Sequence, residues 1–399
     1  MTYNEILSKP VSSFAFKRVL PSKEKTICID AGSTCVRSSS LTSDDVKNDN
    51  VNFNDALIIP TPAIQVRRRF VLRPARALDE NFEVKIQSNG ADWHFLKGKI
   101  CKQCSQESKG LEVTVGKADQ ELLYQSVLFQ TAIQLLVDDF KEGCGAEIYD
   151  VDIVMSIPPE DILNGKSNQV VDRLLGTHTV ELPRIRKTLQ IRVNDVCINS
   201  EPECVANAYL YSDPTSDNIN FIVIDCGGRN MGLSMMKKGN IITDATVTAY
   251  SGGKQLIENT STFVVNQYGC NKPLFEDVAD ALSTGVLSIG VNKVDISNEI
   301  NDAKRELSDK CISAINDIFT LTDMQLESVQ RIVCSGRTFG VAKNANGEVT
   351  SESLINFIKE HYTYSGAEVE FVLFNEPTPV LKGLIYFAAY NIAEREGLL

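Results

Sequence analysis

The sequence predicts an α/β fold of two related domains, each built around a buried strand that ends in Asp-x-Gly and doubles back. Three observations carry this prediction. Apolar, β-branched runs alternate with helix-spaced stretches along the 399 residues. The segment IDAGSTCVR at residues 29–37 has a counterpart, IDCGGRNMGLS, at 224–234. After the second segment a similar order of elements restarts, and internal repeats of this kind set the architecture. Two such units imply two similar domains facing one crevice.

The elements follow in order. Residues 25–31 (KTICIDA) read as a buried strand, stopped by the turn at Ala31-Gly32-Ser33, with a return strand over 34–41. Residues 42–55 read as a polar loop, and 82–86 and 93–99 alternate as strands. Apolar residues at helical spacing predict a long helix over 118–140, with Gly143 and Gly145 after it. A buried strand over 150–157 ends at Pro158-Pro159, two strands flank Pro183 within 181–198, and a short helix covers 202–211.

The second round has strands at 221–226, 231–236 and 241–247, then helices at 253–268, 274–281 and 297–319. A strand at 331–334 enters Ser335-Gly336-Arg337 and a helix. A helix over 351–361, a strand over 369–374 and a last helix over 379–396 complete the chain. The expected domains are an N-terminal extension at 1–24, a first domain of 25–200 with 379–399, and a second of 201–378. The extension is polar with isolated apolar residues, Ile6, Leu7, Phe14 and Phe16, which leave it open between a flexible arm and a docking segment.

Composition narrows the function. With 43% apolar and 23% charged residues the chain is globular. A net charge of −12 disfavours direct contact with nucleic acid, whose phosphates repel it. It also makes any self-association sensitive to salt. The 11 cysteines include Cys28, Cys226 and Cys334 inside apolar runs, which read as small core residues in a reducing compartment. Cys101 and Cys104 form one CxxC without a second ligand pair, so no zinc site is expected. The first residues lack the apolar core of a signal peptide, and no stretch approaches the roughly 20 apolar residues of a membrane span. The expected location is cytoplasmic, with no membrane contact. His94, His178 and His361 lie outside every motif and read as surface or packing residues.

Three motifs carry the chemistry. In the first, Gly32, Ser33 and Thr34 form a turn whose backbone N–H groups make an anion site, with two hydroxyls added. Asp30 at the strand end is placed to hold Mg²⁺ through water, because that ion keeps several waters and takes few carboxylates. In the second, Asp225 stands before Gly227 and Gly228, which permit close approach of backbone to phosphate. In the third, Ser335 and Gly336 end a buried strand in a way that suits a nucleotide lying against backbone. Any one of them is also what a plain hairpin or β–turn–α connection looks like. The pattern GxxxxGK[ST] is absent.

Together and in this order, the three motifs resemble phosphate loop one, phosphate loop two and the adenosine loop of the actin, heat-shock chaperone and sugar kinase superfamily. The resemblance spans residue 25 onward and implies an actin-like fold of two RNase H-like domains flanking a nucleotide cleft. It also implies Mg²⁺ and ATP as ligands, with GTP the open alternative. Pro202-Glu203 matches the Pro-Glu of the plasmid-segregation actins, so the resemblance nominates Glu203 to orient the attacking water. The chaperone pattern nominates Glu201 instead, and either acid also suits a helix N-terminus. Lys304, Arg305 and Ser308 match the chaperone helix that flanks adenosine, with Asn301 where that family has Glu. Gly252 and Gly253 precede a helix as in actin-like proteins and could offer N–H donors there. Arg229 stands where the family has a small hydroxyl residue, and Arg337 where it has Gly; a guanidinium at 337 could stack on adenine. Pro158-Pro159-Glu160 after the 151–157 strand resembles the ParM group. The implied protein is a ParM-like ATPase that forms filaments of itself and reaches DNA through an adaptor protein. A kinase or a nucleotide-binding assembly scaffold of the same superfamily is the alternative.

Overall fold

The structure is a computed structural model and describes residue 6 and residues 18–66, 81–98, 100–103, 109–111, 116–322, 324–343, 346–364 and 368–399. Most of the expected N-terminal extension, Cys104 and the side chain of Arg337 lie outside the described residues. The chain divides into two compact units, Met1–Ala208 with Thr378–Leu399, and Tyr209–Pro377.

Unit 1 contains β1 Val19–Ala31, β2 Cys35–Leu41, β3 Leu57–Pro60, β4 Ala63–Gln65, β5 Asn81–Ser88, β6 Ala91–Gly98, β7 Gly145–Ile157, β8 Gly176–Leu182 and β9 Lys187–Ser200. They form one sheet in the order β3-β2-β1-β7-β9-β8-β5-β6-β4. Its helices are α1 Ser43–Lys47, α2 Ile100–Gln103, α3 Glu121–Glu142, α4 Pro159–Leu163 and α5 Ser167–Leu174. α6 Glu201–Ser212 begins in this unit, and the division between units falls inside it.

Unit 2 contains β10 Asn220–Cys226, β11 Met231–Lys237, β12 Asn240–Ala249, β15 Arg331–Ser335 and β16 Glu370–Phe374 in the order β12-β11-β10-β15-β16, plus the hairpin β13 Val286–Ile289 and β14 Asn292–Asp295. Its helices are α7 Gly253–Tyr268, α8 Phe275–Thr284, α9 Ser297–Thr322 and α10 Leu354–Tyr364. The last helix, α11 Pro379–Arg395, returns to unit 1.

The repeat read from sequence is visible strand by strand. In unit 1, β1 pairs antiparallel with β2 and parallel with β7, which runs parallel to β9. In unit 2, β10 pairs antiparallel with β11 and parallel with β15, which runs parallel to β16. The order β3-β2-β1-β7-β9 therefore matches β12-β11-β10-β15-β16. Parallel strands buried on both faces need continuous apolar runs, and Ile27, Cys28, Ile29, Ile222, Val223 and Ile224 supply them. One face of β1 packs Ile27, Ile29 and Ala31 into a core with α3, whose residues 123–139 are buried on all sides. Gly143 ends α3 in the left-handed conformation at φ +71°. A glycine also lets α11 reach α6, because a Cβ at Gly383 would overlap the Cys204 carbonyl.

Several expectations change. β1 starts at Val19 rather than 25, because residues 19–24 pair with β7 as far as Gly145. The loop expected over 42–55 contains α1, set by a capping box between Thr42 and Asp45. The connections holding α4, α5 and the β13–β14 hairpin had no strong periodicity and were not anticipated. Ile6, from the expected extension, is fully buried in the unit 1 core.

Candidate nucleotide-binding loops

In unit 1 the loop after β1 is held by its carbonyls. Thr61 donates its hydroxyl to the Gly32 carbonyl at 2.6 Å and its N–H to the Thr34 carbonyl at 3.0 Å. Lys117 donates to the Ala31 carbonyl at 3.2 Å. The described residues contain no cis peptide, and in a trans peptide C=O and N–H point in opposite directions. Pinning the Ala31 and Gly32 carbonyls therefore turns the N–H groups of Gly32 and Ser33 the other way, which is the orientation an anion needs. Gly32 is required here, since a Cβ would stand 2.7 Å from the Cys35 carbonyl oxygen. Ser33 is half-buried and Thr34 exposed.

Unit 2 uses the same device with different anchors. The Gly227 carbonyl accepts from Gly253 N–H at 3.0 Å, and the Gly228 carbonyl from Lys254 N–H at 2.6 Å. Gly227 N–H closes the turn on the Asn230 carbonyl at 2.9 Å. The N–H groups of Gly228 and Arg229 consequently face away from α7. This corrects one expectation: the Gly252-Gly253 helix start gives Gly253's N–H to loop two, not to a ligand. Arg229 is half-buried and Gly228 exposed.

The two aspartates end their strands at matching positions but differ in surroundings. Asp30 is buried and takes a 2.6 Å ion pair from Arg37, its register partner on β2. Asp225 is half-buried and has Gly232 as its β2-equivalent partner. The parallel neighbours place Ser156 beside Asp30 and Ser335 beside Asp225.

Of the two acids proposed to orient water, Glu201 is buried and ion-paired to Lys117. Glu203 is half-buried; burial pushes its pKa up, opposed by hydrogen bonds to its carboxylate from the Ser200 hydroxyl and the Ser200 N–H. That last contact is also a helix-capping contact. Asp161 fixes the turn that presents Lys117, accepting from Ala118 N–H at 3.3 Å, and burial raises its pKa. Thr61, Lys117 and Asp161 had no sequence motif, because each acts from a distant element through backbone groups.

The adenosine-side candidates separate. Ser335 ends β15 with its side chain buried, and Gly336 follows at φ +113°, where a Cβ would overlap the Cys226 carbonyl. The helix expected after it is a single 3-10 turn, Arg337–Phe339. Lys304 is buried and donates to Gly340 O at 2.9 Å, Ser351 Oγ at 3.1 Å and Glu352 O at 2.6 Å. Its three protons are thus used inside unit 2, which corrects its nomination as an adenosine contact. Ser308 bonds its own helix at the Arg305 carbonyl, 2.7 Å away, and does not project as expected. Arg305 is exposed, near Asp302 at 3.8 Å and over the Phe357 ring at 5.1 Å. The histidines take packing roles: His178 is buried between Ser88 and the Leu174 carbonyl, and His94 pairs with Glu83.

The donor set fits a Mg²⁺-nucleotide. Both loops present backbone N–H groups beside an aspartate, and buried polar atoms at the strand ends lack partners: Ser156 Oγ and Asn199 Nδ2 in unit 1, Ser335 Oγ in unit 2. No group of His, Cys, Asp and Glu able to hold a metal directly occurs among the described residues.

Strand order, repeat and loops define the actin-like fold, and the chain has it. ParM and other actin homologues are among the structures it resembles. The actin-like protein Alp7A matches with a TM-score of 0.67 at 14% identity, over 94% of this chain and 98% of its own. The archaeal actin homologue Ta0583 in complex with ADP matches with a TM-score of 0.60 at 12% identity, over 92% and 99%. The apo psk41 ParM protein matches with a TM-score of 0.57 at 13% identity, over 94% and 99%. No family model and no curated protein matches the sequence. No helix among the described residues is long and apolar enough to cross a membrane.

Proposed function

We propose that this chain is a ParM-like actin that binds and hydrolyses Mg²⁺-ATP and polymerises into filaments, serving plasmid or other DNA segregation through an adaptor. The observation that carries this reading is the repeated Asp-x-Gly hairpin whose carbonyls are pinned so that its N–H groups face outward. Gly32, Ser33, Thr34, Gly228 and Arg229 are assigned to phosphate. The backbone of Ser335 and Gly336 is assigned to the nucleoside, with Arg337 beside it. Bound Mg²⁺ would neutralise triphosphate charge, and Asp30 and Asp225 would hold its water shell. Glu203 accepts a hydrogen bond from the attacking water, since Glu201 is already paired with Lys117. Phosphoryl transfer needs mainly positioning and charge stabilisation, and these groups supply both.

Polymerisation rests on the resemblance to the ParM group. Nucleotide and neighbouring subunits would favour the same conformation, which couples assembly to ATP. Head-to-tail contacts that do not close yield filaments. The Arg37–Asp30 ion pair favours a second reading, a nucleotide-binding scaffold with slow turnover, because a metal's waters must share that carboxylate with a guanidinium.

Light scattering and phosphate release, followed together after adding Mg²⁺-ATP, test the proposal. Scatter that rises and is followed by phosphate supports the filament ATPase. Scatter that rises without phosphate supports the scaffold. Flat scatter with phosphate passed to a small acceptor would identify a kinase.

A further inference from the structure

The two units share a feature that the motifs did not reveal. Asp30 has Ser156 as its register partner on the parallel strand β7, and Asp225 has Ser335 on the parallel strand β15. In-register neighbours on adjacent strands share a sheet face about 4.8 Å apart. Both serines are 0% exposed, and neither hydroxyl has a hydrogen-bond partner. In unit 1 the row continues to Asn199 on β9, register partner of Ser156, whose Nδ2 is also without a partner. Unit 2 has Phe374 at that third position.

Burying a hydroxyl without a partner costs stability, so such groups in folded proteins are normally bridged by ordered water. A buried water needs two to four polar partners. Asp30 and Ser156, with Asn199 beyond, meet that need in one unit, and Asp225 with Ser335 provides two partners in the other. The same residue type at the same register of a repeated unit, next to the same carboxylate, points to one shared task.

We propose that Ser156 and Ser335 are positioning residues, each within its own unit, that anchor water beside Asp30 and Asp225 and so hold the hydration through which each aspartate would act on the metal of a bound Mg²⁺-nucleotide. This deepens the function proposed above and rests on it. The serine hydroxyls touch neither phosphate nor base in this scheme. They act on the metal-dependent part of binding alone.

The test is thermal unfolding of the full chain as wild type, Ser156→Ala and Ser335→Ala, each alone, with ADP plus EDTA, and with ADP plus Mg²⁺. Removing an orphaned hydroxyl should leave the ligand-free protein as stable as wild type or more so. The added shift from Mg²⁺ should shrink, equivalent to an affinity about 3- to 10-fold weaker with the metal and unchanged in EDTA, the scale of one hydrogen bond. Ser156→Thr, which keeps the hydroxyl, should restore the Mg²⁺ increment. An increment equal to wild type in both alanine variants would overturn the proposal and leave nucleotide binding intact. A wild-type protein that ADP does not stabilise with or without Mg²⁺ would overturn the nucleotide site itself, and this inference with it.

Discussion

Asp225 and Glu203 are assigned different work, so alanine at each should fail differently. Asp225→Ala removes a carboxylate from the metal's water shell. Hydrolysis should fall about 100-fold, as when one preorganised charge-stabilising group is lost, and the benefit of Mg²⁺ to binding should fade. Phosphate release and nucleotide titration with and without Mg²⁺ check this; native turnover would remove loop two from the site. Glu203→Ala should keep nucleotide affinity and release phosphate slowly. Its raised pKa adds a sign: the carboxylate is lost as pH falls through a value above the ordinary glutamate range, so the acid limb of turnover should lie at a higher pH than for a free glutamate. If Glu203→Ala instead lowers stability and leaves turnover alone, the residue only caps α6. At this scale the motif residues Asp30, Gly32, Asp225, Gly227 and Ser335 were legible, because a strand end followed by glycine is a local pattern. Lys304 and Ser308 were misread, because which face of α9 is buried is decided by residues 340–352, far along the chain.

Between elements, the supports of the loops are themselves supported. Lys97 on β6 is fully buried and donates to the Thr61 carbonyl and to Ser126 Oγ, both at 2.9 Å, so it stands behind the residue that pins loop one. Burial lowers its pKa from 10.5 to about 7. The folded state then binds fewer protons than the unfolded chain between those values, so stability should rise with pH from about 7 to about 10. Below about pH 7 the full penalty for a buried charge applies. Lys97→Met should therefore stabilise by about 1–4 kcal/mol near pH 6, the range seen when buried charges are replaced by apolar side chains. The gain should vanish or reverse above about pH 9, where the neutral amine still donates its hydrogen bonds. Urea unfolding across that pH range checks it, and a pH-independent difference would refute the assignment. In unit 2, Arg331 at the start of β15 ties down the chain that follows α6, donating to Tyr209 OH at 2.6 Å, Asp213 at 2.9 Å, Ser216 at 2.9 Å and Glu370 at 2.7 Å. Arg331→Ala should cost about 2 kcal/mol in urea unfolding, because several partly buried acceptors lose their donor at once; a loss under about 0.5 kcal/mol would mean a solvated surface pair. None of these supports could be read from sequence, since each joins residues from separate strands or helices through a carbonyl or a lone side chain.

For the whole molecule, the repeat is the organising fact. Strand order and direction agree over five strands in each unit, and two short sequence segments announced it. Of the additions to unit 1, β5 and β6 were legible from their alternation at 82–86 and 93–99, whereas the three-residue edge strand β4 and the small hairpin in unit 2 were not, because short edge strands and hairpins have weaker apolar patterning than buried parallel ones. Net charge is the other global property: at −12, the proposed filaments should assemble more readily as salt rises and screens repulsion. The central claim of the proposed function is that the Asp-x-Gly hairpin of each unit takes part in nucleotide binding. The most direct measurement is titration of ADP, with Mg²⁺, into the full wild-type chain, Asp30→Ala and Asp225→Ala. One nucleotide per chain, weakened about 10-fold or more by each substitution separately, is the expected result, because each aspartate is proposed to hold water of the nucleotide's metal. Two independent sites, or affinity untouched by one of the substitutions, would contradict it.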